Sequence, residues 1–401
     1  MALVVMKFGG SSVANRERIQ NVAGIICSSA REGNEVVAVV SAQGDTTDEL
    51  IAKAGEISLK PSKREMDMLL ATGEQASAAL VAMAVDALGV RSVALTGWQA
   101  GFNTNATHGS ARIKHLDTER LRAELDRNNV VIVAGFQGVD PAEDITTLGR
   151  GGSDTSAVAL AAALKAEVCK IYTDVDGVYT ADPRKIKKAR KLEEISFDEM
   201  LEMSQLGAQV LLSRSVELAK KYNVQVEVLS SLTGNPGTIV KEAVNVEGML
   251  IRGVTKDTSF VSISVISVPD RTGIAYKLFS VLGSKGISVD VILQSVERDE
   301  TRDISFTIAE SELERALALL QEHKDSIGFR ELTVDKDVAK VSIIGSGMIS
   351  NAGVASRMFG ALSDAGISIR MITTSEIQIS VIVDRKEVDR AVEAVHDEFI
   401  K

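Results

Sequence analysis

Apolar residues take two textures along the 401-residue chain. Up to about residue 230, short runs dense in Val and Ile alternate with longer stretches whose apolar positions recur at helical spacing. LVVMKF (3–8), EVVAVVS (35–41), SVALTG (92–97), VVIVAGF (130–136), VCKIYTD (168–174) and VQVEVLS (224–230) predict strands. The spacing between them predicts helices near 14–32, 64–88, 117–127, 153–166 and 207–222. Near-continuous Val/Ile strands separated by helices imply a mostly parallel sheet covered on both faces. In such sheets ligands bind beyond the carboxyl ends of the strands.

Past residue 230 the texture changes. SSLTGNPGTIV carries a Pro-Gly turn and KEAVNVEGM is polar, so a boundary is expected near 235–250. Beyond it the chain repeats: TGIAYKLFSVLGSKGISVDVI (272–292) aligns without a gap with AGVASRMFGALSDAGISIRMI (352–372). A strand precedes each copy (FVSISVI, AKVSIIG), another follows (DISFTIA, IQISVIV), and a helix closes each unit. Strand–helix–strand–strand–helix is the order of a small split βαβ sandwich. Two copies are too few for a solenoid, so a paired module is implied. The strand near 249–256 is a candidate to join the second copy's sheet.

Composition narrows the function. The formal net charge of −10 and an aromatic content of 4% argue against a general nucleic-acid or membrane-surface binder. A phosphate-bearing partner must then meet a local basic site. Cys27 and Cys169 each lie within an apolar stretch, which suits buried thiols in a reducing cytoplasm. MALVVMKFGG has no apolar core of signal-peptide length, and no window approaches 18 consecutive apolar residues. His108, His115, His323 and His396 never fall at metal-ligand spacing, so no structural zinc is expected.

The unusual residues cluster after the strands. In VVMKFGGSSVA (4–14) Lys7 precedes Gly9 and Gly10, whereas the usual phosphate loop places its lysine after the glycines. Read alone, this is equally a plain strand–turn–helix with a solvated lysine. TTLGRGGSDTSAVALAAAL (146–164) places Arg150 among glycines at the start of a helix, with a fork suited to carboxylate or phosphate. Asp154 there reads as a site residue or as a helix cap. YTDVDGVYTADPRKIKKARK (172–191) reads as a nucleotide loop or as a hairpin with a solvated basic face. Ser41, Thr46 and Thr47 stand at a loop-to-helix junction, and Glu74 lies amid small and apolar neighbours on a helix.

Taken together, KFGGSS, REMDMLLATGE, TGWQAG, VAGFQG, TTLGRGGSDT, YTDVDGVYTADPR and TSEIQISVIV resemble, in order and over the whole chain, the aspartate kinases of the amino-acid kinase superfamily. The paired C-terminal units look like ACT domains. The resemblance implies a three-layer αβα kinase domain over 1–235, a linker with a possible strand of the second ACT domain over 236–260, and ferredoxin-like ACT domains over 261–335 and 336–401. It implies ATP-dependent phosphorylation of the L-aspartate side-chain carboxylate to 4-phospho-L-aspartate, the first step toward lysine, threonine and methionine. Mg²⁺ would arrive with ATP rather than in a protein-only ligand set.

By the same resemblance Lys7 neutralises the transferring phosphoryl group, Glu74 holds the substrate amine and Arg150 pairs with its α-carboxylate. Ser41 and Thr47 line the ligand site. Gly9, Gly10 and the turn Gly151, Gly152, Ser153 and Asp154 cradle phosphate, and Asp154 organises the metal-phosphate region. Phe8, Thr173, Asp174, Tyr179, Asp182 and Arg184 contact the nucleotide. Lysine, threonine or both would bind at Val289, Asp290 and Gln294 of the first ACT copy and Asn351, Ala352, Ile369 and Ser375 of the second, between chains of a homo- or hetero-oligomer. Many aspartate kinases read GAKVLHPRAVELA where this chain reads GAQVLLSRSVELA; Gln209 stands for a lysine and Leu212-Ser213 for His-Pro. Two alternatives remain: a superfamily member acting on glutamate or a nucleotide, and an amino-acid sensor whose kinase fold has decayed.

Overall fold

A computed structural model describes residues 2–208, 210–242, 250–296 and 300–400. The chain divides into two units. The first comprises Met1–Tyr179, Lys191–Gln205 and Gln209–Asn245; the second comprises Thr180–Arg190, Leu206–Ala208 and Val246–Lys401.

The first unit is built on an eight-stranded sheet in the order Glu194–Ser196, Thr238–Lys241, Val226–Ser230, Val168–Thr173, Leu3–Phe8, Glu35–Val40, Val130–Ala134, Ser92–Leu95. Every pairing is parallel except that of Val226–Ser230 with Thr238–Lys241. Strand alternation sorts the N-terminal side chains by face. Met6 and Phe8 enter a core with Ile19, Val22 and Ile26 of the helix Arg16–Arg31 and Val81 and Val85 of the helix Lys63–Ala87. Lys7, between them, faces the helix Gly152–Leu164. Each fully buried side chain of this core contributes roughly 1.5–3 kcal/mol. Both cysteines are buried and unpaired, and burial pushes both thiols up.

The helix Lys63–Ala87 is long and apolar enough, by length and composition, to cross a membrane. Here it is a core helix: Ala71, Ala78, Val81 and Val85 are buried, and it carries the buried carboxylate of Glu74. A small sheet in the order Ile113–Leu116, Phe102–Thr104, Gln137–Val139, Ile145–Thr147 belongs to the same unit. These strands of three or four residues carry no long Val/Ile run, and the hydrophobic pattern does not predict them.

In the second unit, Phe260–Pro269 pairs with Thr301–Ala309 and Glu331–Asp335, with Ile292–Gln294 on the outer edge. The second copy repeats this with Val338–Ile344, Gln378–Asp384 and Met371–Thr374. Its fourth strand is Gly253–Asp257, which precedes both copies in sequence and pairs antiparallel with Val338–Ile344. Part of the expected 236–260 linker, 243–249, lies outside the described residues.

The segment Thr180–Arg190, within the expected domain 1–235, groups by its contacts with the second unit. Ala181 and Ile186 are buried in the same cluster as Val354, Met358 and Val395. The segment is closed at its ends: the Thr180 N–H donates to the Arg190 carbonyl at 2.9 Å, and the Arg190 N–H returns to Thr180 Oγ1 at 2.9 Å. Thr180 Oγ1 also lies 2.9 Å from His396 Nε2.

Candidate active site

Lys7, Gly10, Ser41, Glu74 and Asp154 meet at the carboxyl ends of Leu3–Phe8 and Glu35–Val40. Lys7 is in register with Val39 on one side and Ile171 on the other. Its Nζ lies 2.6 Å from Asp154 Oδ1, with both side chains about nine-tenths buried (12% and 11% exposed). The two groups form a buried ion pair, so the Lys7 ammonium already faces Asp154 Oδ1.

The turn after Lys7 is closely packed. A Cβ on Gly10 would stand 2.8 Å from the Ala42 carbonyl oxygen, so only glycine fits. The Ser41 N–H donates to the Phe8 carbonyl at 3.1 Å, and the Ala42 N–H donates to Glu74 Oε1 at 3.1 Å. Glu74 Oε2 is buried without a partner. Burial pushes the Glu74 carboxyl up to about 7, against the Ala42 hydrogen bond that lowers it. A buried carboxylate oxygen with no donor is matched to an incoming ammonium group. Thr47 lies half-buried in the first turn of the helix Thr46–Ile57.

The opposite wall is the segment from Thr147 to Asp154. Gly151 has φ +62°, and a Cβ there would fall 1.2 Å from Leu212 Cδ1. Leu212, one of the departures from the family pattern, thus fills the space over this turn. Ser153 is buried against Gly135, where an added Cβ would meet its side chain at 2.8 Å. Arg150 is exposed, and no ion pair engages it among the described residues. Gln209, the other departure, lies outside the described residues.

Beyond the strand Val168–Thr173, Thr173 Oγ1 donates to Asp174 Oδ1 at 3.0 Å. Tyr179 Oη donates to Asp176 Oδ1 at 2.8 Å. Asp182 and Arg184, assigned to the nucleotide by the resemblance, pair with each other at 3.0 Å within the second unit. The apolar Ala181 and Ile186 of the same segment are held in the second unit's core.

Three supporting residues lie outside the set that the motifs assign. Asp176 gathers Tyr179, Lys191 and Asn235. Burial pushes its carboxyl up, but these three donors outweigh burial and hold it below the ordinary range. Arg214 donates to the carbonyls of Leu148 and Ala111 at 2.8 and 3.0 Å, bracing the approach to Arg150. Asp67, fully buried, accepts from the Thr147 N–H and hydroxyl and from the Gly109 N–H. A polar residue inside an apolar helical stripe is the only sequence signal for Asp67; Arg214 gives none.

The expected effector residues fall in the second unit. Val289, Asp290 and Gln294 lie in or beside the edge strand Ile292–Gln294 of the first copy. Asn351 and Ala352 precede the helix Val354–Asp364, and Ile369 and Ser375 flank the strand Met371–Thr374. Asp290 forms an ion pair with Lys340, whose side chain is only 4% exposed. Lys340 carries no motif that would single it out in the sequence.

The amino acid kinase family matches residues 2–230, and the ACT domain matches residues 261–323 and 341–399. The aspartokinase of Geobacillus stearothermophilus is 51% identical over 400 residues, covering 100% of this chain and 97% of its own. The chain belongs to the aspartokinase family. Among solved structures, E. coli aspartokinase III in complex with aspartate and ADP (R-state) aligns with a TM-score of 0.86 at 26% identity, covering 100% of both chains. The same enzyme in complex with lysine and aspartate (T-state) aligns at 0.76 and 27% identity, again over 100% of both chains. The chain is therefore an aspartate kinase of the mixed α/β class, with a kinase domain followed by ACT domains.

Proposed function

We propose that the enzyme joins ATP and L-aspartate over the Lys7–Gly10 turn. The observation that carries the reading is the buried, unpartnered Glu74 Oε2 in the same site as the Lys7–Asp154 ion pair and the packed glycine turn. Glu74 takes the substrate ammonium, and Arg150 takes the α-carboxylate. Ser41, Thr47, Gly151, Gly152 and Ser153 bound the pocket. Phe8, Gly9, Gly10, Thr173, Asp174 and Tyr179 face the nucleotide.

The acceptor needs no general base, because a free aspartate side chain with a pKa near 3.9 is already ionised. One of its carboxylate oxygens forms the bond to the γ-phosphorus, the bond from that phosphorus to the bridging oxygen breaks, and ADP leaves with the electron pair. The barrier is the approach of two anions. Lys7 and the backbone N–H groups of the turn stabilise the charge on the equatorial oxygens. Asp154 fits a Mg²⁺ held with the nucleotide, which would supply further neutralisation of phosphate charge.

We further propose regulation by lysine at the ACT residues named above, supported by the lysine complex of E. coli aspartokinase III. Threonine is the second candidate effector, and the effector sites are proposed to form in an oligomer. ADP release by the full chain tests the catalytic reading: aspartate supports turnover, while glutamate at equal concentration does not. Equal rates with glutamate would contradict it.

A further inference from the structure

We infer that the first unit carries a second cation site, for one borderline first-row divalent ion, formed by His108, Asp140 and Asp144. The ligand atoms of these three side chains all lie within 4.8 Å of one another. Donors bound to a single Zn²⁺ or Co²⁺ at ~2.0–2.1 Å stand about 3.3 Å apart, so a modest closing of the cluster completes the geometry.

The second observation lies outside the cluster. His108 Nδ1 is 3.1 Å from Asp67 Oδ2, and Asp67 is 1% exposed. That carboxylate also accepts from the Gly109 N–H, the Thr147 N–H and the Thr147 hydroxyl. With donors on every side it acts as an acceptor, so the proton of a neutral His108 sits on Nδ1. Nε2 then carries the free lone pair. A carboxylate that fixes the far nitrogen of a histidine is the arrangement that orients metal-binding imidazoles.

The carboxylates suit the same ion. Asp140 is 6% exposed, and its Oδ1 is spent on the N–H groups of Ala142 and Asp144, which leaves Oδ2 for a ligand. Asp144 Oδ1 is 2.5 Å from Arg64 Nη2. One nitrogen and two oxygens favour Zn²⁺, Co²⁺, Ni²⁺ or Mn²⁺ over an all-oxygen magnesium site. Histidine spacing gives no hint of this, because His108 comes from one loop and the two aspartates from the turn of a hairpin some thirty residues on.

A bound ion would tie the loop around His108 to the hairpin Gln137–Val139 and Ile145–Thr147, the second strand of which runs on to Arg150. The proposal is independent of the phosphoryl-transfer reading, and its test needs no turnover. Full-length protein, dialysed against chelator, is titrated with CoCl₂ and followed by visible absorption, then with ZnCl₂ and followed by thermal midpoint. One equivalent of Co²⁺ with a d–d band is expected, and Zn²⁺ at ~100 times its dissociation constant raises the midpoint by roughly 5 °C or more. His108→Ala and the near-isosteric Asp144→Asn each weaken binding by more than about tenfold. Arg64→Ala, which removes the competing cation from Asp144, tightens it. Absence of saturable binding up to about 1 mM, or His108→Ala and Asp144→Asn binding like the parent, would overturn the assignment.

Discussion

Glu74 is asked to do two things that pull against each other. It must be ionised to hold an ammonium group, yet burial raises its pKa to about 7. Aspartate should therefore bind better as pH rises toward 8, with KM falling about tenfold per unit below 7 and levelling above it. Glu74→Gln should raise KM and flatten that profile. The stability effect has the opposite sense. A carboxyl with a raised folded-state pKa contributes stability below its ordinary pKa and loses it as pH rises through 7. The loss is on the order of 3 kcal/mol for a shift of this size. Glu74→Gln should then melt higher than the parent at pH 8 and not at pH 4, as read by calorimetry. Arg150 behaves differently, because it is exposed. Arg150→Ala should leave the thermal midpoint nearly unchanged while raising KM for aspartate by about 10–100-fold, the loss of one charged hydrogen-bonding partner.

At the scale of elements, the segment Thr180–Arg190 is the informative case. His396 is buried, its Nδ1 has no partner, and Nε2 faces Thr180 Oγ1. Burial pushes the imidazole pKa down, opposed by Asp397 and assisted by Lys188 and Arg190. The unfolded chain takes up a proton near pH 6.5 that the folded chain refuses, so stability is present above that pH and is lost as pH falls. Calorimetry should show a lower midpoint at about pH 5 than at pH 7, and a smaller difference in His396→Gln, which keeps an acceptor for Thr180. Equal differences in the two proteins would contradict this. The same segment marks where sequence reading stops. The six strands of the large sheet that carry Val/Ile runs are legible because burial on both faces leaves no polar alternation. Glu194–Ser196 and Thr238–Lys241 are not, being short and mixed. The helix expected over 207–222 begins at Ser213, after the turn in which Leu212 covers Gly151. Ala181 and Ile186 look like loop residues because the core they join comes from the far end of the chain.

For the whole molecule, the site motifs are readable because glycine turns and charged residues after strands follow a local logic, while the bracing by Asp67, Asp176 and Arg214 depends on long-range contacts. The paired modules are visible in the repeat. Their fourth strands are only partly so, since one module takes the strand before both copies and the other takes the strand after its own. Isothermal titration of the full chain with lysine and threonine, separately and together, should show lysine binding that weakens when Asp290→Ala removes a proposed contact. Unchanged lysine affinity in that variant would move the effector site elsewhere.

The central claim is that Lys7 stabilises the transferring phosphoryl group. Steady-state ADP release by Lys7→Ala, at saturating ATP and aspartate and at a temperature where its circular dichroism matches the parent, tests this directly. The account predicts a fall in kcat of about 10²–10³; a kcat within about twofold of the parent would contradict it.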